Sequence, residues 1–202
     1  RTRINRFLKQ RTDMLAGVSH DLRTPLTRMK LQVSLIKDKK AKSELELDIN
    51  EMTAMLDSYV NFVKTESPET IESIVLNEVI KECIKNSNKE EYDILFHEND
   101  RVKTSGRPIQ LKRAFQNIID NSKRYGTKIK IIIILKKNEC IVEINDNGQG
   151  IPEENYEDVF KPFFTLDPSR NRLKGESGLG LSITRDIIRS HGGEVNLDKS
   201  DL

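Results

Sequence analysis

The stretch Met14-Leu-Ala-Gly-Val-Ser-His-Asp-Leu-Arg-Thr-Pro-Leu-Thr-Arg28 belongs to a helical pattern that determines how the first third of the chain folds. Apolar residues recur there at seven-residue steps, at Leu8, Leu15, Leu22, Met29 and Ile36, and the same face is filled by Ile4, Val18, Leu26 and Val33. A second seam, with alternating steps of four and three, follows a polar break at 37–42 and comprises Leu45, Ile49, Met52, Leu56, Tyr59 and Val63. Such spacing is typical of helices packed in a bundle.

Two amphipathic helices bury too little apolar surface to be stable by themselves. We therefore predict that this helical hairpin pairs with a second copy of the chain into a dimeric, antiparallel four-helix bundle. A single unpaired hairpin is the alternative.

Beyond a short Pro-containing linker at 65–70, helical and strand periods alternate. The pattern predicts three helices, at 76–84, 111–125 and 181–190, and three strands, at 92–97, 129–135 and 140–145. Residues 152–177 are charged and aperiodic, which predicts a long loop. The expected fold class is α + α/β: a helical bundle followed by an α/β sandwich.

The composition excludes some classes of function. Lys and Arg number 34 against 32 Asp and Glu, a net charge of +2 that argues against a dedicated nucleic-acid binder. No apolar run is long enough to span a membrane. Cys83 and Cys140 lack metal-ligand spacing, so we expect two reduced thiols that fill apolar space. We also expect the chain to be part of a longer protein.

His20 is the first candidate for chemistry. With Leu15 and Leu22 at the seam, the helical register directs His20 away from the bundle core. The alternative is that His20 is an ordinary surface histidine. Asp21 can accept its N–H, orient the ring and raise the basicity of the other nitrogen. Pro25 lies within the helical pattern and is expected to bend the backbone near His20. Thr24 lies one turn after His20 on the same face.

The helix predicted over 111–125 carries a polar stripe with steps of four, four and three: Arg113, Asn117, Asn121 and Arg124. Asparagine is a modest helix former, so two stacked amides are unusual on a solvated face. An amide oxygen is a suitable ligand for Mg²⁺.

Two glycine-containing segments follow. Ile144-Asn-Asp-Asn-Gly-Gln-Gly-Ile-Pro152 comes after a strand, and its glycines would admit a planar base; a simple turn is the alternative. Gly175-Glu-Ser-Gly-Leu-Gly-Leu181 precedes the last helix, where exposed backbone N–H groups could hold phosphate. The Walker pattern GxxxxGK[ST] is absent from the sequence.

Residues 14–28 resemble the phosphoacceptor box of sensor histidine kinases, especially that of the osmosensing EnvZ type. In their order along the chain, residues 112–125, 144–152, 160–164 and 175–181 resemble the N, G1, F and G2 boxes of that family's ATP-binding domain. The resemblance implies a dimerisation and histidine phosphotransfer hairpin over 1–66. It further implies an ATP-binding domain of the histidine-kinase, chaperone and gyrase type over 67–202, with an ATP lid at 152–177 and a truncated C-terminal strand.

The same resemblance implies roles for individual residues. His20 is the phosphorylated catalytic residue, Asp21 assists the transfer, and Thr24 acts in a reverse reaction that dephosphorylates the partner. Asn121 binds Mg²⁺ with a contribution from Asn117, and Asp146 selects adenine. The residues implied to line ATP are Asn117, Asn121, Lys123, Arg124, Tyr125, Asp146, Gly148, Gly150, Phe160, Gly178, Leu179 and Gly180. Four lid cations could steer ATP or form a solvated surface: Lys161, Arg170, Arg172 and Lys174.

The implied function is two-component signalling: autophosphorylation of His20 with Mg-ATP, phosphotransfer to an aspartate of a cytoplasmic response regulator, and phosphatase activity toward that regulator. The implied location is the cytoplasmic portion of an inner-membrane sensor, attached to the membrane only through an N-terminal sensor region outside this chain. No nucleic-acid partner is expected.

Three alternatives compete with this interpretation. ATP hydrolases of the same superfamily carry a glutamate one turn before the metal asparagine, and Asn117 stands there instead, an amide that cannot act as a base. Serine kinases of the anti-sigma type lack the histidine-bearing hairpin. A degenerate kinase that serves only as a dimeric docking module is disfavoured by the intact Asn121, Asp146 and glycines.

Overall fold

The computed structural model describes residues 21–64, 69–85, 92–98, 101–137, 139–166 and 178–202, and within 51–64 it describes the side chains of Met52, Thr53 and Leu56. The chain divides into two compact units, 1–68 with 162–179, and 69–161 with 180–202. Several predictions fall outside the described residues: His20, the seam before 21, the Tyr59 and Val63 side chains, and lid residues 167–177.

In the first unit, helix α1 covers the described residues 21–34 and helix α2 covers Lys39–Lys64. The predicted polar break at 37–42 is too long, because α2 begins inside it. The physical reason is an N-terminal cap: Asp38 Oδ1 accepts hydrogen bonds from Lys40 N at 2.9 Å and Ala41 N at 3.3 Å.

The two helices share only part of their apolar stripe. Leu26, Val33 and Ile49 form a buried cluster, against which Ile36 and Leu56 pack. Four other seam residues remain 40–51% exposed: Leu22, Met29, Leu45 and Met52. The hairpin therefore buries one edge of the predicted seam and leaves the other edge open.

The described residues of the second unit form five strands and three α-helices. In chain order they are β1 (Glu72–Val75), α3 (Leu76–Lys85), β2 (Asp93–His97), β3 (Lys103–Gly106), α4 (Pro108–Tyr125), β4 (Lys128–Lys136), β5 (Glu139–Asp146) and α5 (Gly180–Ser190). Strands β2, β4 and β5 form one sheet in that order, with β2 parallel and β5 antiparallel to β4. Strands β1 and β3 form a separate antiparallel pair.

Strand β4 provides the inner face of this unit. Ile129, Ile131 and Ile133 alternate along it and are at most 1% exposed, as expected for a strand covered on one side. The helices contribute a further buried set: Ile80, Ala114, Phe115, Ile119, Ile183 and Ile187. The expected class, α + α/β, is confirmed.

The predicted helices and strands of the second unit are found, with shifts at their ends. Helix α4 begins at Pro108, three residues before its predicted start, because proline suits a first helical position, where no intrahelical donor is needed. The β1–β3 pair was not predicted, since each strand has only four residues. Two short 3-10 turns, Glu153–Asn155 and Asp158–Phe160, interrupt the predicted loop.

None of the helices in the described ranges is long and apolar enough to cross a lipid bilayer. After α5, residues 191–202 form neither helix nor strand.

The two cysteines differ in environment, which corrects the expectation that both fill apolar space. Cys83 is fully buried on α3, whereas Cys140 is exposed, because it pairs with Leu135 beside the turn that joins β4 to β5. Burial raises the pKa of the Cys83 thiol to about 11. Burial also raises the pKa of Cys140, but its thiol remains accessible.

We therefore expect iodoacetamide at pH 8 to alkylate Cys140 in the native chain and to leave Cys83 unmodified, because the reactive thiolate of Cys83 is both disfavoured and inaccessible. Peptide mass mapping after timed labelling measures this difference. The urea-unfolded chain is the control, in which both cysteines should react at similar rates. Equal rates in the native chain would contradict the described burial.

Candidate functional site

The amide of Asn117 joins the middle of α4 to the start of α5. Its Nδ2 donates a hydrogen bond to the carbonyl oxygen of Gly180 at 3.2 Å. Thr184 strengthens the same junction, because its hydroxyl lies 2.9 Å from Gly180 O and 3.3 Å from Ala114 O. With Nδ2 engaged, Asn117 presents its carbonyl oxygen as the group left for a ligand.

Asn121 follows one turn later on the same face of α4 and is half-buried. Its side chain makes no hydrogen bond with any residue in the described ranges, so its amide oxygen is open to a ligand. The described part of the chain holds no cluster of three or more His, Cys, Asp and Glu residues that could bind a metal. Magnesium commonly takes few protein oxygens and completes its shell with phosphate and water, so the two asparagine amides fit Mg²⁺ held together with a nucleotide.

Arg113 lies one turn before Asn117 on the same helical stripe. Burial lowers the pKa of its guanidinium. Charges interact more strongly where water is partly excluded, so this cation adds positive potential beside the asparagines.

The loop after β5 lies against the end of α4. Asp146 Oδ1 accepts a hydrogen bond from Gly148 N at 2.9 Å. A Cβ atom at Gly148 would lie 2.8 Å from Asp146 Oδ1, 3.0 Å from Tyr125 Cβ and 3.1 Å from Tyr125 O. Glycine is therefore needed here for close approach, and the structure brings three predicted site residues together: Tyr125, Asp146 and Gly148.

Asn147 was treated in the sequence only as part of a turn, yet it holds this loop in place. Its Oδ1 accepts hydrogen bonds from Thr127 N and Lys128 N, both at 2.9 Å. Its Nδ2 lies 3.3 Å from Thr127 Oγ1. The position of this asparagine between Asp146 and Gly148 was visible in the sequence. Its role was not, because its hydrogen-bond partners lie 19 and 20 residues away in the chain.

Lys123 and Arg124 precede Tyr125 at the end of α4, but each has a different environment from Tyr125. The Lys123 ammonium lies 3.3 Å from Asp120 Oδ1 and 6.0 Å from the centroid of the Tyr92 ring. Six residues after Asn117, Lys123 falls on a different face of α4 from the two asparagines. Arg124 is exposed.

Phe160 is buried, and the guanidinium of Arg185 lies 4.7 Å from its ring centroid. The same guanidinium donates to Glu157 Oε2 at 3.0 Å, which ties the second 3-10 turn to α5. Arg185 was missed in the sequence, because its partners come from a distant segment.

The remaining predicted glycines have distinct local roles. Gly150 has a φ of +73° in open space, a conformation that favours glycine. Gly178 has a φ of +62°, and its carbonyl accepts a hydrogen bond from Phe163 N at 3.0 Å. Leu179 is buried. A Cβ at Gly180 would meet Asn117 only at an ordinary 3.9 Å, so crowding does not require glycine there.

In the first unit, Asp21 and Thr24 are exposed on α1. Thr27 and Arg28 continue the same face and are also exposed. His20 lies outside the described residues, but the helical face that follows it is open to solvent.

We expect Gly148→Ala to destabilise the second unit by about 1–3 kcal/mol, because the new methyl group meets the Tyr125 backbone, which cannot move freely. Thermal denaturation measures the loss, and titration with Mg-ADP should show weaker binding. Gly192→Ala is the control for a destabilising change elsewhere: its φ of +80° strains an alanine, but a Cβ there meets nothing within 4 Å, so ADP affinity should not change. Equal ADP affinity in the two variants would contradict a role for Gly148 in the site.

Two family models match the chain. The "His Kinase A (phospho-acceptor) domain" matches residues 10–68. The "Histidine kinase-, DNA gyrase B-, and HSP90-like ATPase" model matches residues 106–201.

Similar proteins include the sensor histidine kinase GtrS of Pseudomonas aeruginosa, 32% identical over 96% of this chain and 40% of that protein. The sensor histidine kinase CpxA of Escherichia coli is 31% identical over the whole chain and 47% of that protein. The chain thus spans less than half the length of these curated relatives. Among solved structures, the catalytic domain of histidine kinase ThkA is 29% identical with a TM-score of 0.54, over 63% of this chain and 87% of that one.

Proposed function

The chain belongs to the sensor histidine kinases, and on that premise we propose that it uses Mg-ATP to phosphorylate its own His20. The observation that carries this proposal is Asn117, which occupies the position where related ATP hydrolases have a glutamate. An amide cannot take a proton from water, and its nitrogen is already engaged with Gly180 O. A site that holds phosphates without activating water needs a nucleophile from elsewhere, and His20 is the candidate.

We assign the nucleotide to the surface built by α4, the loop after β5 and the start of α5. Asn121, with Asn117, would ligate Mg²⁺, which when bound neutralises phosphate charge. Asp146 would accept a hydrogen bond from the amino group of adenine, beside Gly148 and Gly150. The remaining assignments rest on the family resemblance: Lys123, Arg124, Tyr125, Phe160, Gly178, Leu179 and Gly180.

In the proposed transfer, one ring nitrogen of His20 forms a bond to the γ-phosphorus while the bond from that phosphorus to the bridging oxygen breaks. ADP leaves with the bridging oxygen. Asp21 accepts the N–H of the other ring nitrogen and stabilises the charge that develops on the ring. Catalysis then consists largely of positioning and charge neutralisation.

The phosphoryl group would next pass to an aspartate of a response regulator that docks near His20. The exposed face formed by Thr24, Thr27 and Arg28 supports this, because it leaves room for a partner. Thr24 would hold a water molecule for the reverse, phosphatase reaction.

We propose that residues 1–66 form the dimerisation and phosphotransfer domain and that residues 67–202 form the ATP-binding domain; the matched ranges 10–68 and 106–201 support this division. We further propose that the chain is the cytoplasmic portion of an inner-membrane sensor. The support is that its curated relatives are named sensor kinases and are more than twice as long as the part matched here.

A homodimer through the hairpin completes the proposal. The exposed seam residues Leu22, Met29, Leu45 and Met52 recur at seven-residue steps on each helix. A second copy of the same hairpin would bury them and form a four-helix bundle.

Incubation with γ-labelled ATP and Mg²⁺ tests the kinase. We expect acid-labile, base-stable label on the chain, because phosphohistidine has that stability, and loss of the label in His20→Gln. Exposed His97→Gln is the matched control and should keep it. Asn121→Ala should abolish labelling by removing the metal ligand. Label that persists in His20→Gln would overturn the assignment, and ATP hydrolysis without label would favour the hydrolase.

For the dimer, we expect Met29→Glu to convert the chain to a monomer, since two copies of the charge would be buried in the proposed interface. Sedimentation equilibrium measures the mass. Leu31→Glu is the control two residues later, on a side chain that is 65% exposed and outside the seam, and it should remain dimeric. If both variants or neither dissociate, the hairpin seam is not the interface.

A further inference from the structure

The first turn of α4 has its free backbone donors satisfied by side chains far away in the sequence. A helix begins with N–H groups that lack intrahelical partners. Ile109 N donates to Glu69 Oε1 at 2.7 Å, and Gln110 N donates to Glu69 Oε2 at 3.2 Å. Pro108 has no N–H. Both oxygens of one carboxylate therefore cap this helix end, where the helix dipole also favours negative charge.

The remaining donor of this turn, Arg107 N, is held by His191. It donates to His191 Nε2 at 3.0 Å, while His191 Nδ1 lies 2.7 Å from Ile187 O. These two contacts assign the neutral tautomer with the proton on Nδ1, since Nε2 must accept and Nδ1 must donate. A further bond joins Arg107 Nη1 to Ser190 Oγ at 3.1 Å.

Helices α4 and α5 are thus hydrogen-bonded at two levels. The start of α4 is bound to the end of α5 through Arg107 and His191, and the middle of α4 is bound to the start of α5 through Asn117 and Gly180. The first contact limits sliding or rotation of α4, which would carry both asparagines with it.

We propose that Glu69 and His191 are positioning residues for the nucleotide site, which hold α4 so that the Asn117 and Asn121 amides meet the metal and the phosphates. This inference rests on the proposed function.

The test is the Mg²⁺-dependent gain in ADP affinity, measured by calorimetry on the intact 202-residue chain with ADP and either Mg²⁺ or EDTA. We expect Glu69→Ala to reduce this gain by about tenfold, because two capping bonds are lost. Glu69→Gln keeps one acceptor oxygen, so its Mg²⁺-dependent gain should lie between those of the wild type and Glu69→Ala. Exposed Glu72→Ala is the control and should match the wild type.

A second pair of variants tests the other residue. The amide oxygen of Gln can replace His191 Nε2 as an acceptor, so we expect His191→Gln to retain more of the Mg²⁺-dependent gain than His191→Leu does. All measurements are made at a temperature where circular dichroism shows that each variant is folded. If Glu69→Ala or His191→Leu does not fold, the comparison is made with Glu69→Gln or His191→Gln.

A purely structural cap would lower the melting temperature and leave the Mg²⁺-dependent gain unchanged. That result in Glu69→Ala and His191→Leu, with normal binding by the wild type, would overturn the inference and leave the proposed function intact. Absence of Mg²⁺-dependent ADP binding in the wild type would instead overturn both.

Discussion

The hydrogen bond from the Asn117 amide to the Gly180 carbonyl is the constraint on which the site depends. It uses the amide nitrogen for structure and leaves the oxygen for a ligand, and it joins the helix of the proposed metal ligands to the start of α5. A glutamate at this position could not donate that bond and would offer a base in its place. One side chain therefore links the architecture of the site to the proposed use of His20 as the nucleophile.

The helical hairpin is subject to a different constraint: part of its apolar stripe is buried between its own two helices, and the other part stays exposed. Leu26, Val33 and Ile49 are buried within the chain, and Met29 and Met52 are left half-exposed. A stripe wider than one neighbouring helix can cover favours a further helix layer. The hairpin is thus suited to be one half of an assembly.

Local patterns in the sequence were sufficient for much of the fold. The short apolar run over 129–135 predicted a strand, and the glycines after the last loop predicted the start of α5. The β1–β3 pair escaped prediction because four residues are too few to establish a period. The bounds of α2 and α4 differed because Asp38, Glu69 and Pro108 act through capping, which periodicity does not report.

The sequence by itself determined the family, the α + α/β class and the candidate residues, because motifs and periods are local properties of the chain. Only the tertiary structure decided which candidates meet: Asn117 with Gly180, and Gly148 with Tyr125. It also revealed Asn147, Glu69 and His191, each of which has a hydrogen-bond partner between 19 and 84 residues away. Contacts over such separations depend on how the elements pack, and no local pattern encodes them.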